Sequence, residues 1–209
     1  MTENTLSSAP ADFQQVMLRD VAELVRGVGY KPPDLRPAQS TNSVALLRAT
    51  NIQDNALLVG DVIYVDKARV SATQMLRRWD VVVAMSSGSK LAVGKLAQLK
   101  ADWTGSFGAF CGVLRPDLGQ TDPEYFGFLL RSRRFRERIE LYAQGTNIKN
   151  LARDHLLGFE FLLPPLEEQQ RIAGILTTIQ DARDANDLTT QALERLLTAT
   201  ICELLPGEP

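Results

Sequence analysis

Between Leu166 and Leu205 the chain contains no proline and a single glycine, Gly174. Residues of the remaining types all continue an α-helix, so this stretch is expected to form a rod of about 40 residues, roughly 60 Å long at 1.5 Å per residue. Such a rod cannot bury its own apolar side. Its start is sharply marked: in "LLPPLEEQQRIAGILTTI", residues 162–179, an apolar run meets two prolines and passes at once into the helix. Glu167 and Glu168 fall in the first turn, where the positive end of the helix dipole favours carboxylates, and Pro206-Gly207 closes the far end. A heptad-like seam runs through Ile172, Ile175, Ile179, Ala182, Asn186, Thr189, Leu193 and Leu196. Asn186 falls at a core position, where a buried asparagine fixes register and strand number at some cost in stability. The polar stretch "DANDLTT" also admits a helix that is broken or solvent-exposed there.

The remainder of the chain has a different texture. Residues 1–12 are polar and expected to fray, and "VMLRDVAELVRG" reads as a short strand or helix closed by Gly27. "YKPPDLRP" is a loop. From Ser43 to Gln120, short apolar and β-branched runs ("VALLRATNI", "DVIYVD", "DVVVAMS", "KLAVGKLAQL", "FGAFCGVLRP") are punctuated by glycine and asparagine, the pattern of strands. "TDPEYFGFLLRSRRFRERIELYAQG" reads as one helix, with Asp122 as N-cap, Pro123 in the first turn and Gly145 after the end. "NIKNLARDHLLG" is a turn and a short helix, and "FEFLLP" a last strand. The expected class is therefore α+β: a mixed, mostly β domain over residues 13–163, followed by a long C-terminal coiled-coil-forming helix over 164–206.

Charge divides at the same place. Net charge is −2, yet from Glu167 onward eight acids face only Arg171, Arg183 and Arg195, which leaves 20 basic and 17 acidic side chains in residues 1–166. The densest basic stretch, "RSRRFRER", holds Arg131, Arg133, Arg134, Arg136 and Arg138. It reads either as a phosphate-binding face or as a solvated helix surface, since five arginines in eight positions must spread around the helix. No run of eighteen apolar residues and no basic-then-apolar leader occurs, so a cytoplasmic protein with no membrane partner is expected. Cys111 and Cys202 lack metal-ligand spacing and are expected to be reduced and packed, and neither a metal nor a cofactor is expected.

Catalytic patterns are missing one by one. "DPEY" at 122–125 echoes the D-P-P-Y loop of amino-methyltransferases but serves as a helix cap, and no glycine-rich turn after a first strand stands ready for a methyl donor. "GSKLAVGKL" from Gly88 has five residues between its glycines and no hydroxyl residue after Lys95, so it is not a phosphate-binding P-loop. "SSGS" is not a nucleophile elbow, His155 is the only histidine, and no acidic constellation suggests a nuclease. The chain reads as non-catalytic.

Five segments in one order carry a resemblance: "LRATNI" (47–52), "RRWDVVVAMSSGSKLAVGKL" (77–96), "DPEYFGFLLRS" (122–132), "QGTNIKNL" (144–151) and "LLPPLEEQQRIAGIL" (162–176). Together they resemble the specificity subunit of type I restriction-modification enzymes, over nearly the whole chain from Val16 to Leu205. The resemblance implies a target-recognition domain that reads one half of a bipartite sequence in double-stranded DNA, joined to a spacer helix. It also implies that catalysis belongs to a separate DNA methyltransferase (modification) subunit, with cleavage left to a further restriction or translocase subunit. The family's usual subunit has two recognition domains and two spacers, whereas this chain shows one of each and no internal repeat, which reads as a half subunit. A second copy of the chain is then the expected partner of the seam formed by Ile172, Ile175, Ile179, Asn186, Leu193 and Leu196. An antiparallel pair in a two-fold dimer would address an interrupted palindrome.

Candidate DNA contacts follow from side-chain chemistry. Sequence readout needs paired donors and acceptors, and backbone positioning needs amides, hydroxyls and bases. "SSGSK" offers Ser86, Ser87, Ser89 and Lys90, or else forms a plain hairpin turn; "QGTNIKN" offers Thr146, Asn147 and Lys149, or else caps a helix. Lys31, Arg36, Arg48, Asn51, Lys67 and Arg69 are further candidates, with Arg48 equally readable as a structural ion-pair residue. Two other classes fit the same pattern: a protein-binding coiled-coil adaptor or inhibitor without DNA readout, and a recognition module detached from a single-chain restriction-methylase.

Overall fold

The computed structural model describes residues 12–53, 56–86, 93–144 and 150–204. Strand β1 (Gln14–Met17) leads through a helical turn, α1 (Leu18–Val21), into β2 (Ala22–Arg26). Then come β3 (Leu35–Arg36), β4 (Ser43–Leu47), β5 (Ile52–Gln53), β6 (Ala56–Leu57), β7 (Ile63–Asp66) and β8 (Val81–Ala84). Strands β9 (Leu96–Gln98), β10 (Ser106–Phe107) and β11 (Cys111–Pro116) complete the β-rich part. Helices α2 (Pro123–Arg131), α3 (Arg133–Gln144) and α4 (Arg153–Leu157) follow, then β12 (Glu160–Leu163) and α5 (Leu166–Leu204).

The central sheet has the order β2-β11-β8-β9, antiparallel throughout. Both of its faces are covered, which explains why "VVVA" in β8 is apolar at four successive positions instead of alternating. Successive side chains point to opposite faces, so Val81 and Val83 enter one core and Val82 and Ala84 the other. The first core lies under the helices, with Phe126, Leu130, Phe135 and Leu156 all fully buried. The second lies toward a sheet of order β10-β4-β7-β3, in which β10 joins β4 in parallel, and includes Leu47, Ile52 and Phe107.

Ion pairing fixes the loop ahead of β8. Asp80, 1% exposed, receives a bidentate pair from Arg115 on β11 (Nε to Oδ1 2.9 Å, a terminal nitrogen to Oδ2 2.8 Å). The same guanidinium donates to the carbonyls of Thr73 and Met75, and the Asp80 contact holds the arginine's pKa above its ordinary value. This pair therefore ties residues 73–80 to the central sheet through four hydrogen bonds of one guanidinium.

Two expectations are refined by the structure. The segment "VMLRDVAELVRG" is neither strand nor helix alone but strand, helical turn and strand, with Asp20 Oδ2 accepting the Met17 N–H at 2.8 Å. The single helix expected over 122–144 is two helices that break at Ser132. Asp122 does cap the first, its Oδ1 accepting the Tyr125 N–H at 2.9 Å, with Pro123 in the first turn. The break has a packing cause. Phe126 and Leu130 are four apart and share a face, but Phe135 is five beyond Leu130, and a continuous helix would turn it about 140° away. Ser132 resets the phase, ending α2 through its N–H to the Leu129 carbonyl and opening α3 through its Oγ, which accepts from Phe135 N. Phe135 and Ile139 thereby enter the same core as Phe126.

Strand β12 pairs antiparallel with β1, from Gln14 opposite Leu163 to Met17 opposite Glu160. The last strand before the long helix is thus fastened to the start of the described chain. Helix α5 is continuous over 39 residues, about 58 Å. "DANDLTT" does not break it. Thr189 returns its hydroxyl to the Ala185 carbonyl at 2.9 Å and Gln180 bonds Asp184 one turn on, so the polar side chains are satisfied on the helix itself. Among the described residues no helix is long and apolar enough to cross a membrane.

Candidate nucleic-acid interface and spacer helix

Helix α5 presents two different faces. Gln169 and Ala173 are buried against α2, and Ile172, Leu176 and Gln180 are half-buried around them. Beyond Gln180 the helix is exposed to its end of described burial at Ile201. Ile175, Ile179, Leu193 and Leu196 are half or more exposed, as are Leu197 at 61% and, nearly so, Ile201 at 46%. At 100° per residue these residues and Asn186 form a stripe centred about 120° around the helix from the face that docks on α2. Five of the six residues expected in the seam lie exposed on that stripe. Ile172 sits between stripe and docked face.

Gln169 fixes the angle at which the rod leaves. Its amide, 1% exposed, donates to the carbonyls of Pro164 (2.9 Å) and Gln120 (3.1 Å) and accepts the Asp122 N–H (2.9 Å). One side chain thus ties the prolines before α5 to the loop before α2. At the same end, Arg171 holds the Glu168 carboxyl below its ordinary value by hydrogen bonding at 2.6–2.7 Å.

Four of the candidate basic residues come together although they lie far apart in sequence. β3 pairs with β7, so Arg36 meets Asp66, Arg69 lies 3.5 Å from Asp34, and Lys31 and Lys67 stand on the same two turns. The Asp66 carboxyl is held below its ordinary value by the Ala68 N–H and by Arg36. Four cations against two carboxylates leave this end of the second sheet positive, and both arginines are committed to carboxylates. Arg48 and Asn51 are elsewhere and structural in their contacts. Arg48 pairs with Asp61 at 3.0 Å. Asn51, 1% exposed, accepts the Arg48 N–H and donates to the carbonyls of Leu58 and Asp61, so its amide is spent inside the fold.

The arginine run on α2 and α3 is also largely engaged. Arg131 lies over the Phe128 ring and donates to Gly127 O, Arg133 pairs with Glu137, and Arg134 stands over Phe159. Arg138 donates to His155 O and lies over Tyr142, on which His155 itself stacks at 4.1 Å. His155 Nδ1 accepts the Ala152 N–H, so the lone histidine caps α4.

Ser87, Ser89, Lys90, Thr146, Asn147 and Lys149 lie outside the described residues. The residues flanking those two segments are joined: Ser86 forms an antiparallel bridge with Asn150, and Leu151 N donates to the Met85 carbonyl at 2.7 Å. Beside this junction opens a cleft of about 600 Å3 between the edge strand β2, the turn before β11 and residues 150–153.

Residues 10–197 match the family model described as the type I restriction modification DNA specificity domain. The chain belongs to that family. It is similar to the StySPI specificity subunit of Salmonella potsdam, 32% identical over 188 residues, and to the EcoKI specificity subunit of Escherichia coli, 34% identical over 180. These matches cover 90% and 85% of this chain but 40% and 38% of the relatives, so the chain spans well under half of their length. The HsdS subunit from Thermoanaerobacter tengcongensis shares the fold, with a TM-score of 0.67 at 17% identity over 99% of this chain and 48% of that one. The type I S subunit from M. genitalium gives 0.54 at the same identity.

For a type I specificity chain, the double-proline segment that carries the resemblance now has a physical role. The motif puts Gln169 where only a side chain with both donor and acceptor satisfies three backbone groups at once. Nothing in the residue pattern around that glutamine signals the role. Arg26 and Phe110, which line the cleft, lie outside the motifs, and only the folding of β2 beside the turn before β11 brings them together.

Proposed function

We propose that this chain supplies the DNA sequence specificity of a type I restriction-modification complex, without catalysis of its own. In this reading residues 13–163 form a recognition domain for one half-site, and residues 164–206 form a spacer that pairs with a second copy and seats the methyltransferase subunits. The observation that carries the reading is the exposed apolar stripe of α5, which is separate from the face the globule covers. Apolar side chains repeated at heptad spacing over several turns are stable in water only when a second helix covers them. A parallel pair of α5 helices would crowd two recognition domains at one end. An antiparallel pair puts them at opposite ends, separated by at most roughly 60 Å, under two turns of duplex at about 34–36 Å per turn. Two-fold symmetry then presents identical readers to inverted half-sites. Phosphate contacts come from the Lys31, Arg36, Lys67 and Arg69 end of the second sheet, which is net positive in an acidic chain.

Methylome sequencing of a host expressing this chain with its modification subunit tests the reading. The expected result is an interrupted inverted motif modified on both strands; modification without a defined motif would overturn it. Sedimentation at micromolar concentration is expected to give a dimer, and a chain that stays monomeric in isolation and in the methyltransferase complex refutes the pairing. A protein-only adaptor would instead show no salt-dependent affinity for any duplex.

A further inference from the structure

The cleft beside the Ser86–Asn150 bridge is chemically unlike the rest of the basic surface. Among the described residues two arginines, Arg26 and Arg153, line it and no carboxylate does, although the chain as a whole carries more acids than bases. Arg153 is partly anchored, one terminal nitrogen donating to the Leu24 carbonyl at 3.1 Å. Arg26 is exposed, and among the described residues no carboxylate or carbonyl meets its guanidinium. Phe110 stands at the rim, 65% exposed, held from behind because its own carbonyl accepts the N–H groups of Met85 (2.9 Å) and Ser86 (3.0 Å). A phenyl ring placed in water on a fixed turn, lining the same cleft of about 600 Å3 as an unpaired guanidinium, belongs to none of the apolar cores among the described residues. Cys111 in the cleft wall is 2% exposed with its thiol pushed up to about 12 by burial, which keeps it protonated and packed.

We propose that this cleft grips one nucleotide of the DNA duplex, Arg26 holding its phosphate and Phe110 packing on the adjoining sugar and base edge. The inference rests on the DNA-reading function above and assigns it a contact site. A phosphate needs an unneutralised cation, which Arg26 provides and the carboxylate-paired Arg36 and Arg69 provide less well. The sugar and base edge need apolar surface at fixed distance from that cation. The turn before β11 sets this distance, since β11 and β2 are adjacent strands with Gly112 opposite Arg26.

The test is duplex binding by the full chain in complex with its modification subunit, followed by fluorescence anisotropy across a salt series. The probe is a duplex carrying the motif found by methylome sequencing, with a scrambled duplex beside it. Arg26→Gln is expected to weaken both duplexes alike and to lower the slope of log affinity against log salt by about one. Arg26→Lys keeps the charge and is expected to restore the slope. Phe110→Ala is expected to lose roughly tenfold in affinity with the slope unchanged. Both side chains are exposed, so melting temperatures should match the wild type, which separates lost contact from lost fold. Wild-type binding together with unchanged affinity and slope in both variants would overturn the cleft alone. A wild-type complex that binds neither duplex would overturn the DNA-reading function and the cleft with it.

Discussion

The two halves of α5 are one continuous helix in two different situations. As far as Gln180 its inner face is buried on α2 and locked by the Gln169 amide; beyond it, to Ile201, every residue is exposed, and none of the described residues covers the apolar stripe. The docked half gains its stability from the globule, so it has one orientation whether or not a partner is present. The free half holds its helix through local bonds, including the Thr189, Thr198 and Thr200 hydroxyls returned to carbonyls one turn back. The proposed spacer needs both conditions: rigid attachment to set the direction of the rod, and an uncovered stripe on which the proposed second copy would complete it.

The contrast breaks most visibly on the free side. Replacing Ile179 and Leu193 by glutamate removes two apolar side chains from the proposed pair interface. Dimer affinity should then fall by about 4 kcal/mol, near a thousandfold. The thermal melting of the globule should stay within about 0.5 kcal/mol of wild type. Sedimentation and calorimetry on the same variant check both halves of that statement, and an equal loss in both would mean that the stripe serves the globule after all.

On the docked side the expected pattern reverses. Gln169→Ala leaves the Asp122 N–H and the Pro164 and Gln120 carbonyls without a protein partner, costing about 3 kcal/mol in urea unfolding because buried polar groups lose their bonds outright. Its effect on dimerisation should come only through the altered angle of the rod.

Gly174 lies within the docked half but on its solvent side, and a Cβ built there meets nothing within 4 Å. Gly174→Ala is therefore expected to stabilise the helix by about 1 kcal/mol, read as a higher melting temperature with the fold unchanged. A loss instead of a gain would show that a flexible joint at this position is needed.

The smallest effect concerns pH. The Glu168 carboxyl is held below its ordinary value of 4.5 by Arg171, so its contribution is complete above that value and disappears as pH falls through the lowered one. The Glu168→Gln variant should show a shallower acid limb in a stability-against-pH series and only a small change near neutrality, because solvent screens the pair of exposed Arg171 and part-buried Glu168.

What could be read without coordinates depended on how local the cause was. The Asp122 cap, the Pro123 start and the unbroken rod follow from residues within one turn of each other. The break at Ser132 was also written in the chain, as the spacing of five between Leu130 and Phe135, but the arginine run over the same residues conceals it. Candidate contacts were harder to assign. Asn51 and Arg48 have the donors that DNA readout needs, yet the fold spends them on Leu58 and Asp61, contacts seven to thirteen residues away. Lys31 with Arg36, and Lys67 with Arg69, separated by some thirty residues, become one surface only because β3 pairs with β7.

The sequence by itself determined the rod, the apolar strands and the family, since helix continuity, capping and strand alternation are set by bonds and sterics between near neighbours. Tertiary structure decided which charged groups remain unpaired and which apolar stripe of α5 stays uncovered. Those outcomes depend on residues as much as 138 positions apart meeting in space, where a carboxylate or a packed helix either reaches a side chain or leaves it to solvent.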